Sequence, residues 1–116
     1  MRHKRTIRKL GKNKSQRKSL IRNLAISFFQ NKKVLTTEAR AKELHRFVEK
    51  LITIAKAQDL SSVRTVNSFL NHWATTKTVK DLALKYKERN GGYTRMIKTG
   101  RRRGDAGETV IIQLVL

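Results

Sequence analysis

The 116-residue chain contains no cysteine and no proline, and only 8 acidic residues stand against 28 Lys and Arg. Without cysteine there is no disulfide scaffold, no Cys-based zinc ribbon and no thiol nucleophile. Apolar runs are short, Val110 to Ile112 being typical, so no helix-length hydrophobic segment spans a membrane. The basic start has neither the apolar stretch nor the small-residue cleavage site of a leader, and the expectation is an intracellular protein used whole. The scarcity of acid leaves a formal net charge of +20. A charge of that size on one small domain repels itself and recruits polyanions, which suits a nucleic-acid binder or an enzyme of acidic substrates and not a neutral cytosolic enzyme.

The positive charge is concentrated. Residues 1–37 hold 12 of the basic residues, and the first carboxylate in the chain is Glu38. Within residues 1–14, Ile7 and Leu10 are the only sizeable apolar side chains after Met1. Such a stretch cannot offset its ordering entropy by burial, so it is expected to be a tail that is disordered alone and orders on a polyanion. Residues 15–116 then form a single globular domain.

Helical period begins after the tail. Leu20, Leu24 and Phe28 are spaced by four, as are Ile21, Ala25 and Phe29, with Ser15 as the expected N-cap and Asn31 as the stop. Lys14, Arg17 and Lys18 crowd the first turn, the sign the helix dipole disfavours, and a phosphate seated there would reverse the penalty. Lys33 to Thr36 reads as a short strand. Thr36 or Thr37 caps a second helix whose stripe is Ala41, Leu44, Val48, Leu51 and Ala55, widened by Phe47, Ile52 and Ile54, with Glu38 and Lys42 paired on the wet side. Ser61 or Ser62 starts a third helix carrying Val63, Val66, Phe69, Leu70 and Trp73, and a fourth from about Thr76 presents Val79, Leu82, Ala83 and Tyr86. After the Asn90-Gly91-Gly92 turn, Tyr93 to Lys98 and Glu108 to Leu116 read as strands, the second with Val110, Ile112, Leu114 and Leu116 on one face. Between them Thr99 to Gly107 forms a basic hairpin loop. The order α-β-α-α-α-β-β predicts an α+β fold, a two-layer α/β sandwich with a basic extended N-terminal tail.

Catalytic patterns are missing. His3, His45 and His72 show no i,i+4 or HxH pairing, the carboxylates are scattered, and no Walker loop, GxGxxG, GxSxG or HExxH occurs. Structural or surface roles are expected for the histidines, no metal or other cofactor is implied, and no small-molecule substrate. Arg103-Gly104-Asp105 is read as chance spelling, with Asp105 pairing a neighbouring arginine or capping the turn. The three arginines at 101–103 are the stronger signal, since guanidinium forks grip phosphate and a hairpin holds them on a rigid support. Tyr86 and Tyr93 suit the core better than base stacking. With no RNP1 or KH motif, recognition by shape and backbone phosphate is favoured over readout of base edges.

Five colinear stretches carry a family resemblance: MRH at 1–3, RKLG at 8–11, SQRKSLIRNLA at 15–25, TTEARAKELHRFVEKLITIAK at 36–56 and NGGYTRMIKTGRRRGDAGE at 90–108. By these the chain resembles the bacterial-type large-subunit ribosomal protein seventeen family, with residues 58–88 matching only loosely. Gln16 stands where the family pattern suggests His, Gly107 where it suggests Ala, and the 45–47 neighbourhood lacks a proline. The resemblance implies a non-enzymatic structural constituent of the large ribosomal subunit near the polypeptide exit tunnel, in the cytoplasm, with an organellar ribosome as the alternative. It implies large-subunit rRNA and neighbouring ribosomal proteins as partners, with no membrane. Carried over by position, RNA contacts fall to Arg2, His3, Lys4, Arg5, Arg8, Lys9 and Lys12 in the tail. Lys14, Arg17, Lys18 and Arg22 follow at its edge and on the first helix, and Arg95, Lys98, Arg101, Arg102 and Arg103 on the hairpin. On charge alone a nucleoid-type architectural DNA-binding protein is the alternative, though neither dimer symmetry nor an apolar wedge is evident. A small basic nuclease is disfavoured by the absent acid–base pair.

Overall fold

A computed structural model describes residues 10–115. Four helices and three strands follow in the order α1 (Lys14–Asn31), β1 (Lys33–Thr37), α2 (Glu38–Ala55), α3 (Leu60–Leu70), α4 (Trp73–Ala83), β2 (Thr94–Arg101) and β3 (Glu108–Leu114), with a 3-10 turn at Leu84–Tyr86 after α4. The strands form one antiparallel sheet, β1-β3-β2. This is an α+β fold.

α2 is the centre. Its stripe of Ala41, Leu44, Val48, Leu51, Ile52 and Ala55 is buried, between the sheet on one side and α1, α3 and α4 on the other. The sheet meets it with Val110, Ile112 and Leu114, which alternate along β3 as a half-buried strand requires. Ala25, Phe28 and Phe29 from α1, Val66 and Leu70 from α3, and Val79, Leu82 and Ala83 from α4 complete the core. Tyr86 and Tyr93 are 3% and 1% exposed, with rings 5.1 Å apart. The Tyr86 hydroxyl donates to the Val115 carbonyl at 2.7 Å, so both tyrosines belong to the core.

Several boundaries differ from the expected ones. The N-cap of α1 is Asn13, not Ser15. Its side chain accepts from the Gln16 N–H at 2.9 Å while the Gln16 side chain accepts from the Asn13 N–H at 3.3 Å, a reciprocal capping box. α3 begins at Leu60, ahead of the expected Ser61 or Ser62, because Asp59 caps it by accepting from the Ser62 N–H at 2.7 Å. That hydrogen bond holds the Asp59 carboxyl below its ordinary pKa. Trp73 is not on the α3 stripe. Asn71 turns left-handed at φ 51°, His72 caps the next helix, and Trp73 becomes the first residue of α4, 63% exposed. β2 runs on to Arg101 and leaves a shorter loop than 99–107. The register shifts between Lys98 and Gly100, where Gly100 takes φ 111° and absorbs the extra residue of a bulge.

Candidate nucleic-acid interface

The first basic surface is built by three helices. α1 buries only its C-terminal half, so its first turns stand away from the core and meet α2 and α3 across a groove of about 600 Å³. Six cationic side chains line it: Lys14, Arg17, Lys18 and Arg22 from α1, and Arg46 and Lys50 from α2. Glu43 is the one carboxylate among the lining residues. Leu10, Ile21, Phe47 and Phe69 supply apolar surface. The two phenylalanine rings meet edge to face, 6.1 Å apart at 89°, and the Lys50 ammonium lies 4.9 Å over the Phe69 ring. Arg22 fixes the geometry, its Nε donating to the Phe69 carbonyl at 3.1 Å and tying α1 to the end of α3.

The capping box changes how an anion would be held at α1. Asn13 already occupies the Gln16 N–H, so attraction there comes chiefly from the Lys14, Arg17 and Lys18 side chains rather than from the helix end. Lys12 is set apart, lining a separate hollow with Ser15, Gln16, Ser19 and Leu20. Arg2, His3, Lys4, Arg5, Arg8 and Lys9 lie outside the described residues, as does most of the expected tail.

The second basic surface is the β2–β3 hairpin, whose three arginines are not equivalent. Arg101 pairs with Glu108 in the register of the strands. Arg102 donates from Nη2 and Nε to the two Asp105 oxygens at 2.6 and 3.2 Å, and Asp105 also accepts the Gly107 N–H at 3.0 Å. Hydrogen bonds from Arg102 and then Gly107 draw the Asp105 carboxyl from 3.8 to about 2. Asp105 therefore both pairs an arginine and closes the turn, as its position suggested. Arg103 is exposed beside Gly104, which turns the tip at φ 102°. Arg95 and Lys98 fall on opposite faces of the ribbon. Arg95 stands beside Gln113 and, with the Gln113 amide oxygen turned toward it, donates to that oxygen from Nε and Nη2 at 2.8 Å each. Lys98 lies toward Glu38, whose carboxyl is lowered to about 2 by its hydrogen bond with Glu108 first and Lys42 next, the Lys42 ammonium being 3.0 Å away.

The described histidines are structural. His45 Nδ1 is 2.6 Å from the Thr94 hydroxyl and 3.8 Å from a Glu49 oxygen, a histidine–carboxylate proximity that follows from their i,i+4 spacing on α2 and that the sequence reading missed. Glu49, however, accepts the N–H groups of Tyr93 and Thr94 at 3.2 and 2.9 Å and the Thr94 hydroxyl at 2.9 Å, so it staples the start of β2 to α2. His72 Nδ1 accepts the Thr75 N–H at 3.2 Å as a helix cap. Among the described residues no group of three His, Asp or Glu is arranged to hold a metal ion, and no helix is long and apolar enough to cross a membrane.

From the sequence, Phe47 and Phe69 are apolar positions of their helices, and Arg46 and Lys50 are not singled out as parts of a site. The available signal was Arg46 and Lys50 at i,i+4 on either side of Phe47, a basic pair bordering an apolar stripe. What brings them to the α1 cations is the packing of three helices, which no local pattern encodes.

Residues 20–115 match the family described as Ribosomal protein L17. Over 116 residues the chain is 52% identical to the large ribosomal subunit protein bL17 of Campylobacter concisus, covering 99% of this chain and 98% of the relative. It is 49% identical to the bL17 protein of Dictyoglomus thermophilum, covering 99% and 100%. A third relative of the same name, from Clostridium perfringens, is 51% identical over 93% of this chain and 96% of its own.

Proposed function

Since the chain belongs to the ribosomal protein L17 family, which is structural and not enzymatic, we propose that it is a constituent of the large ribosomal subunit in the cytoplasm, bound to large-subunit rRNA. The observation that carries the RNA reading is the convergence of six cationic side chains from two helices on one groove. Convergence of that kind costs electrostatic repulsion in the free protein, and a polyphosphate backbone relieves it. The hairpin tip offers a second, independently supported contact through Arg101 and Arg103. The basic residues before the Asn13 cap, the greater part of the expected 1–14 tail, are assigned as an arm along the same RNA. Docking near the polypeptide exit tunnel, against neighbouring ribosomal proteins, is the placement that the family resemblance implies. The nucleoid alternative calls for an apolar wedge at the end of a ribbon or arm; the exposed apolar side chains of the β2–β3 ribbon, Met96 and Ile97, lie along β2, and the tip itself is polar and basic.

Each phosphate neutralised by Lys or Arg releases counterions, and log affinity falls by about 0.7–0.9 for each contact per tenfold rise in salt. Filter binding of the full chain to a large-subunit rRNA transcript across a KCl series measures that slope. Replacing Arg101 and Arg103 by Ala is expected to make it shallower by about 1.4–1.8. Arg102→Ala is expected to change it less, because Asp105 already holds that guanidinium. An unchanged slope in the double variant would remove the hairpin from the interface. Equal affinity for duplex DNA of the same length would instead favour the nucleoid reading.

A further inference from the structure

We propose that the groove between α1, α2 and α3 seats a single nucleobase turned out of the RNA stack, with the flanking phosphates on its basic rim; the inference rests on the RNA-binding reading above. A surface that only tracks phosphates has no use for apolar area at its centre. Here Ile21, Phe47 and Phe69 lie among the cations in a recess of about 600 Å³, room for a base and its sugar. Phe69 is half-buried, and a lysine ammonium 4.9 Å above its ring shows that a ring face is turned outward, covered by a side chain with a long mobile stem. Phe47, edge-on to it at 89°, closes one wall.

Two chemistries must be met together: a planar apolar surface inside and dense positive charge around it. An unstacked nucleotide is planar and aromatic at one end and anionic at the other, and bases stack on aromatic side chains whatever their identity. A hydrophobic peptide satisfies the floor but not the rim. The basic N-terminal segment of this chain satisfies neither sign of the charge. The favoured occupant is therefore a nucleotide from a loop, bulge or mismatch, where extrusion costs least.

The test uses the full chain and two RNA hairpins of equal length and charge. Each carries one 4-thiouridine in its stem, paired with adenosine in the first and mismatched against uridine in the second. Wild-type protein is expected to bind the mismatched hairpin about 5- to 150-fold tighter, the range for stacking one base on an aromatic ring. Phe47→Leu and Phe69→Leu keep apolar bulk and remove the ring, and they are expected to erase the preference between the two hairpins. Replacing Arg101 and Arg103 by Ala is expected to weaken both complexes equally. If a Leu variant melts early, photo-crosslinking of the wild-type complex decides, with adducts expected on the peptides holding Phe47 or Phe69. Equal wild-type affinity for the two hairpins, a preference that survives both Leu variants, or adducts confined to other peptides would overturn the base seat and leave RNA binding standing. Failure to bind either hairpin would overturn both readings.

Discussion

Asp105 illustrates how one carboxylate among arginines shapes a binding loop. Its two oxygens engage Arg102, and one of them also takes the Gly107 N–H, so the turn is closed by the ionised form. Arg102 thereby loses much of its reach while Arg101 and Arg103 stay exposed. The carboxyl is lowered from 3.8 to about 2, so the ionised form is the one the folded loop prefers. Its contribution to loop order is complete above the unfolded value of 3.8 and is lost as pH falls through about 2. Following the Gly107 amide shift by NMR during acid titration should give a midpoint near 2, and a midpoint near 4 would mean that the bonds are not formed in solution. Between pH 5 and 8 the loop should not respond to pH at all, since Asp105 remains ionised throughout.

At the scale of the element, the cap of α1 is the most informative departure. Gln16 departs from the residue the family pattern suggests, and the structure gives it work as the third position of an Asn13 capping box. Asn13→Ala is expected to destabilise the protein by about 1 kcal/mol, within the usual range of about 0.5–2 for a lost cap, as read by urea unfolding. A change near zero would show that the first turn is frayed in the free protein. The elements whose stripes follow a strict period were legible beforehand: Ala41, Leu44, Val48, Leu51 and Ala55 are all buried, as are Val110, Ile112 and Leu114. Legibility failed where a backbone turn overrides the period. Trp73 keeps helical spacing from Phe69 and Leu70, yet the left-handed Asn71 ends α3 before it and sends it to solvent. Glycine at 100 marked the loop by composition but serves as a bulge inside a strand. The same division holds for the site. Basic residues could be picked out one by one, while Arg46, Lys50 and the two phenylalanines joined them only through the crossing of α1 and α3 over α2.

With 8 acidic residues against 28 Lys and Arg, the molecule carries a large excess of positive charge, and salt should act on it in two opposite senses. The ion pairs of Lys42 with Glu38 and of Arg102 with Asp105 join partly exposed or exposed side chains, where each contributes little. The described residues 10–115 hold 23 of the 28 Lys and Arg and all 8 acidic residues, a formal +15 on a body of 45 × 31 × 27 Å. Raising KCl from about 0.1 M to about 1 M shortens the Debye length from about 10 Å to about 3 Å and screens repulsion among cations such as Lys14, Arg17, Lys18 and Arg22. More repulsion than attraction is lost, so the free protein should melt at a higher temperature in the saltier buffer, by roughly 4 °C for each 1 kcal/mol of repulsion relieved. The same change removes the counterion-release gain on RNA, so the complex should weaken by orders of magnitude over the same interval. Thermal melts and filter binding on one preparation would read both effects. A melting temperature that falls with KCl would mean that attractive pairs outweigh repulsion in the free fold, and that the cations around the groove are neutralised from within instead of waiting for phosphate.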